Sequence, residues 1–161
     1  MTVVSNTSPL TSLAAIGQFE LLRRLYGEVH IANAVWDELN AGGRSWPGRD
    51  EVASASWVQR REVKNHLLVT AFQRDLDRGE AETITLALEV DADLVLLDER
   101  EGRHVAQRLG LQVVGVVGIL LEAKAKGMID RMKPNLDALR QAAGFHLSET
   151  LYNSALRASG E

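Results

Sequence analysis

Short apolar runs alternate along the chain with longer stretches whose apolar positions recur at helical spacing, the pattern of an α/β protein with a mainly parallel sheet. Strands are predicted over 3–4, 29–31, 57–58, 94–97 and 112–114. The run Leu94-Val95-Leu96-Leu97 lacks polar alternation, which predicts an interior strand covered by helices on both faces. Ser8-Pro9 reads as a helix cap with proline at the first helical position, followed by Leu10, Leu13 and Ala14 on one face. Asn33 is placed to cap a helix through Leu39, and further helices are predicted over 79–89, over 100–109 ending at Gly110, over 117–126 ending at Gly127, and after Pro134 to about Ala143, stopping at Gly144. Ser148 is placed to cap a last helix that carries Leu151, Ala155 and Leu156. Residues 41–49 are rich in Gly and Pro and read as an exposed loop, either a plain connector or a flap whose Arg44, Arg49 and Trp46 touch a polyanion and stack on a base.

Length and composition narrow the class. With 161 residues, 45% of them hydrophobic, one domain spanning 1–161 is expected. Lys and Arg total 18 against 22 Asp and Glu, for a net charge of -4, so any nucleic-acid contact must be a local patch. There is no cysteine, which excludes disulfides, thiolate nucleophiles and Cys-ligated metals and leaves oxygen and nitrogen chemistry. The longest apolar run, 113–121, is about half the roughly 20 residues that cross a bilayer, and Met1 to Leu10 carries no signal-peptide pattern. A soluble cytoplasmic protein without membrane contact is the expectation.

In open α/β sheets ligands bind beyond the carboxyl ends of the strands, so polar residues at strand ends are the first candidates. Two strands end that way: Val3-Val4-Ser5-Asn6 and Leu96-Leu97-Asp98. Asn6 and Asp98 stand side by side if those strands are neighbours. Glu38 follows Val35-Trp36 on a helix, and Glu80 opens the helix Gly79-Glu80-Ala81-Glu82-Thr83-Ile84, sharing a face with Ile84 and Ala87. Glu82, about 200° further round the helix, should point elsewhere. Carboxylates converging without His or Cys form a hard oxygen site that selects Mg²⁺ or Mn²⁺, ions that activate water for phosphodiester hydrolysis. Each residue also has an ordinary local use. Asp77 to Glu80 and Asp98 to Glu101 both fit capping boxes, Asn6 suits a turn, and Glu38 suits a solvated helix position.

Arg100 and Arg103 follow Asp98 on the next helix, where guanidinium groups grip phosphate or pair with Glu99 and Glu101. Ser5, Thr7 and Ser8 lack a nucleophile-elbow pattern, and Ser8 is taken as a substrate contact instead. His30, His66, His104 and His146 are dispersed and form no metal-type pair, with His104 nearest the acidic residues in sequence.

The segments Val4-Ser5-Asn6-Thr7-Ser8-Pro9-Leu10, Ala34-Val35-Trp36-Asp37-Glu38-Leu39, Gly79-Glu80-Ala81-Glu82-Thr83-Ile84 and Leu96-Leu97-Asp98-Glu99 resemble the PIN-domain family over nearly the whole chain. The branch most similar also shares the segment 115–121 and the turn Lys124-Ala125-Lys126-Gly127. The resemblance implies a three-layer α/β/α sandwich around a central, mainly parallel sheet. It implies a Mg²⁺- or Mn²⁺-dependent ribonuclease with RNA as substrate, related to the toxins of toxin–antitoxin pairs, so that a cognate antitoxin is the further partner it suggests. Apart from the resemblance, the final helices, with Phe145, Leu147, Leu151 and Tyr152, either pack on the core or form part of a homodimer interface. By position, Asn6, Glu38, Glu80 and Asp98 fall at the first to fourth acidic sites, serving as metal ligands and catalytic groups, with Glu82 as a substitute for the third. The departure is at the first site, where active members usually carry Asp: the Asn6 amide ligates through its carbonyl oxygen but brings no negative charge and accepts no proton from water. The alternative reading is therefore a catalytically weak or inactive module that binds RNA or a protein partner. A third reading, phosphoryl transfer with Asp98 as nucleophile, lacks a recognisable partner motif.

Overall fold

Among the residues that the computed structural model describes, 1–43 and 46–161, five strands form one sheet. They are β1 (Val3–Ser5), β2 (Val29–Ala32), β3 (Val58–Arg61), β4 (Leu94–Leu96) and β5 (Val113–Val114), in the order β3-β2-β1-β4-β5 with every neighbouring pair parallel. The helices are α1 (Thr7–Ala15), α2 (Leu21–Tyr26), α3 (Asn33–Leu39), α4 (Arg49–Ser54), α5 (His66–Phe72), α6 (Arg78–Glu89), α7 (Arg100–Arg108), α8 (Val116–Ala125), α9 (Met132–Gln141) and α10 (Glu149–Ala158). None of them is long and apolar enough to cross a membrane.

Strand side chains alternate between faces, and the two faces bury separate cores. Val3, Ile31 and Leu96 join Leu10, Leu22 and Ile119 on one side. Val4, Val95 and Leu97 join Val69, Ile84 and Ala106 on the other. The parallel sheet, whose side chains are apolar on both faces, is thus covered twice, which gives the expected three-layer α/β/α sandwich.

The chain builds β1, β2 and β3 outward in one direction and then returns to lay β4 and β5 on the other side of β1. The direction reverses between β1 and β4, and at such a switch point the connections after the two strands diverge and leave a crevice at their carboxyl ends. The register Ser5↔Leu96 sets Asn6 beside Leu97, one residue before Asp98.

Several local expectations shift. The helix after β1 starts at Thr7 with Asn6 at the cap position, so Ser8 is not the cap and Pro9 is the third helical residue. Pro134 likewise sits third in α9, which begins at Met132. The first four helical N–H groups have no partner within the helix, so proline is tolerated there as well as at the first position. The third helix starts at Asn33 itself, so Asn33 is not its cap; Ala32 holds that position and no side chain caps the helix. β3 extends to Arg61 beyond the predicted 57–58, because an edge strand carrying Gln59, Arg60 and Arg61 has no apolar signature. The helices α2, α4 and α5, six or seven residues each, are too short for a helical period to stand out in the sequence. Arg44 of the candidate flap lies outside the described residues, whereas Trp46 and Arg49 lie within them.

Candidate active site

The end of β1 sets the first wall. The Asn6 N–H donates to the Leu96 carbonyl at 2.9 Å, continuing the ladder one residue past the strand, and its side chain is buried, with Oδ1 accepting from Thr83 Oγ1 at 3.4 Å. Asn6 occupies the cap position of α1, yet its side chain makes no capping bond and turns toward α6 instead.

α6 supplies the second wall. Asp77 Oδ1 accepts from the Glu80 N–H at 2.8 Å, and the Asp77 N–H donates to Glu80 Oε2 at 3.1 Å, so the capping box read from residues 77–80 is formed. Glu80 is also 93% removed from solvent, its exposure being 7%. The capping bond orients the side chain through Oε2, and Oε1 has no hydrogen-bond partner among the described residues.

Asp98 follows β4 but does not cap α7, and the second predicted capping box is absent. Its Oδ1 accepts instead from the Val116 N–H at the start of α8, at 2.9 Å, and Oδ2 faces Ser8 Oγ at 3.4 Å. Gly115 makes room for this, since a Cβ there would stand 2.6 Å from Asp98 Oδ1. Glu38, on α3, accepts a 2.5 Å hydrogen bond from Thr7 Oγ1.

Asn6, Glu38, Glu80 and Asp98 line one cleft of about 630 Å³ together with Ser8, Asp77, Glu99 and Arg100. Burial raises the Glu80 pKa above the ordinary carboxylate range, and the charges of Asp77, Glu99 and Glu38 add to the rise against the hydrogen bond from the Asp77 N–H. Burial also raises Asp98, opposed by the Val116 N–H and the Arg103 guanidinium. Glu38 is more open to water, but desolvation still raises its pKa despite the Thr7 hydrogen bond. None of the three carboxylates forms an ion pair among the described residues.

As a donor set these side chains suit a hard divalent cation. Among the described residues, however, no three His, Asp or Glu side chains are grouped so as to hold one ion. What the cleft offers is one or two carboxylates at a time, the kind of site in which Mg²⁺ keeps several waters.

The other predicted residues divide. Arg100, exposed at the first turn of α7, lines the cleft with Ser8. Arg103 is absent from that lining, and its NH1 donates to the Leu97 carbonyl at 3.0 Å, behind Asp98. Glu82 points away, as the helical phase indicates: Oε1 accepts from the Ala34 N–H at 3.1 Å and Oε2 from Arg78 Nε at 3.0 Å, so it serves the start of α3.

Sequence reasoning missed His146, which the connection between α9 and α10 brings to the cleft wall in place of His104. No local motif marks it. The connection is placed by the burial of Leu147 beside it, by the Arg140 guanidinium donating to the Leu147 carbonyl and by the Phe145 N–H donating to the Leu139 carbonyl.

The family model described as a PIN domain matches residues 2–161 of the chain. No curated protein matches it.

Proposed function

The chain belongs to the PIN-domain family, and from that premise we propose that it is a Mg²⁺- or Mn²⁺-dependent ribonuclease that hydrolyses RNA phosphodiester bonds in the cytoplasm as the toxin of a toxin–antitoxin pair. Family membership points to nuclease-type, RNA-related function and to divalent metal ions. The observation that carries the reading further is the meeting of Glu38, Glu80 and Asp98, from three separate elements, on one cleft at the β1/β4 switch point, with none of them ion-paired among the described residues.

In this reading one or two of Asp98, Glu80 and Glu38 at a time would hold the ion, with Asn6 offering its amide oxygen beside them. The ion, when bound, activates water and stabilises the leaving oxygen. The chain's own part is to aim and to exclude. The Val116 N–H and Ser8 orient Asp98, the capping bond orients Glu80, and Arg100 meets the phosphate from the start of α7. The second reading, a weak or inactive module that binds RNA or a protein, is favoured by Asn6, where the charge of a fourth carboxylate is missing.

Cleavage of a mixed RNA by purified protein in EDTA, Mg²⁺ or Mn²⁺ decides between them. We expect metal-dependent cleavage by the wild type, lost in Asp98→Asn and raised in Asn6→Asp. Absence of cleavage by all three folded proteins would overturn the ribonuclease reading and favour the binding module.

A further inference from the structure

Next to the acidic cleft lies a second hollow of about 430 Å³, within the range of small-ligand sites. Its walls are of a different kind: Leu39, Trp46, Pro47, Ala142 and Ala143 provide an apolar lining. Thr7, Thr11, Glu38 and Ala143 line both spaces, so the hollow opens directly off the cleft.

The aromatic wall is held in place. Trp46 Nε1 donates to the Ala41 carbonyl at 3.2 Å, which orients the indole edge, and the Arg49 N–H donates to the Trp46 carbonyl at 3.1 Å. Two residues on, Gly48 adopts a φ of +96° and is seated against α1, where a Cβ would stand 3.3 Å from Thr11 Cα. Trp46 nevertheless remains 44% exposed, unusually open for so large an apolar side chain. Ala142 and Ala143, also in the lining, are small residues that leave room for a flat ring.

We propose that this hollow is a nucleobase subsite, in which the base next to the phosphate held at the acidic cleft stacks on Trp46. The proposal rests on the ribonuclease reading for the position of that phosphate. A base fits because it is the planar apolar group that a single-stranded RNA presents within one nucleotide of its backbone, and stacking on an aromatic face tolerates any base. The apolar lining suits the flat face of the ring, and Thr11 lies at the junction with the cleft.

The test is binding of a fluorescently labelled single-stranded RNA hexamer in Ca²⁺, which bridges phosphate to carboxylates in place of Mg²⁺, to the wild type, Trp46→Ala and Trp46→Phe, repeated with hexamers carrying one abasic position, with cleavage of the intact hexamer in Mg²⁺ or Mn²⁺ measured in parallel. Trp46→Ala should weaken binding by at least about fivefold and Trp46→Phe should restore most of it, which loss of the indole hydrogen bond alone would not allow. The abasic position that weakens wild-type binding should have no effect in Trp46→Ala. Equal affinity of all three proteins, or no hexamer binding by the wild type, overturns the subsite. Cleavage that persists in that case leaves the ribonuclease reading standing, whereas Trp46-dependent binding without cleavage overturns the ribonuclease reading and keeps the subsite.

Discussion

The carboxylate of Glu38 occupies the space that a side chain at residue 79 would need: a Cβ on Gly79 would overlap Glu38 Oε1. The glycine lets the first turn of α6 close onto α3, so that Glu38 and Glu80, 42 positions apart in the numbering, reach one cleft.

Gly79→Ala therefore separates site from fold. The atom it strikes is the end of a flexible side chain, which can swing toward water, and alanine in a helix gains up to about 1 kcal/mol over glycine. We expect the melting temperature to stay level or rise. Glu38 loses its place beside Thr7, and RNA cleavage should fall by roughly tenfold or more, a change of about 1.4 kcal/mol in transition-state stabilisation. Thermal unfolding and the cleavage rate, measured on the same preparation, check both halves. An undiminished rate would remove Glu38 from the chemistry.

The raised carboxylate pKa values make a second prediction, about stability. Below their ordinary values of 4.5 for Glu80 and 3.8 for Asp98, both groups are protonated whether the chain is folded or not. As pH rises, the unfolded chain releases these protons first, so the folded state holds more of them and stability falls until the raised folded values are passed. At neutral pH the ion-free site is thus a cost to the fold, largest when nothing cationic is bound. Asp137 and Glu161, whose pKa values are lowered chiefly by hydrogen bonds from Tyr152 and from the Met132 N–H, act in the opposite sense and are common to wild type and variant. Glu80→Gln keeps an oxygen to accept the Asp77 N–H and removes the charge. Its melting temperature should exceed that of the wild type at pH 7, by about 2–4 °C for each kcal/mol relieved, and the gap should close toward pH 4. A variant less stable than wild type at pH 7 would show that the capping carboxylate stabilises more than its burial costs.

The parts of this site that were legible in the sequence are those written by local rules. β1 and β4 stand out because interior parallel strands are apolar on both faces, and an Asp or Asn just past such a strand falls at the ligand-binding edge of the sheet. Glu80 was legible twice over, as the third residue of a capping box and as a cleft residue, and it is both. Non-local contacts were not legible. Asp98 has the sequence context of a helix cap, but the N–H of Val116, 18 positions later, reaches it first. His146 arrives on a connection positioned by the burial of Leu147, and the edge strand β3 hides behind two arginines. Arg103 looked equivalent to Arg100, three residues earlier on the same helix, until the Leu97 carbonyl claimed it.

That last division gives a prediction in which two neighbouring arginines behave differently. Arg100 is exposed and lines the cleft, so Arg100→Ala should leave the melting temperature unchanged and weaken RNA binding. Losing one phosphate contact should also make the salt dependence of binding shallower, by about 0.7 in the slope of log K against log salt for single-stranded RNA. Arg103 holds the Leu97 carbonyl and its charge lowers the Asp98 pKa, so Arg103→Ala removes a charged hydrogen bond at the end of β4 and lets Asp98 rise further. We expect a stability loss of about 1–3 kcal/mol and an acidic limb of the cleavage pH profile displaced upward, with the salt slope unchanged. The sign follows from the removed charge: without it the carboxylate holds its proton to higher pH, and the ionised form that cleavage requires appears later. A shallower salt slope in Arg103→Ala would mean that Arg103 leaves Leu97 to meet the phosphate when RNA binds.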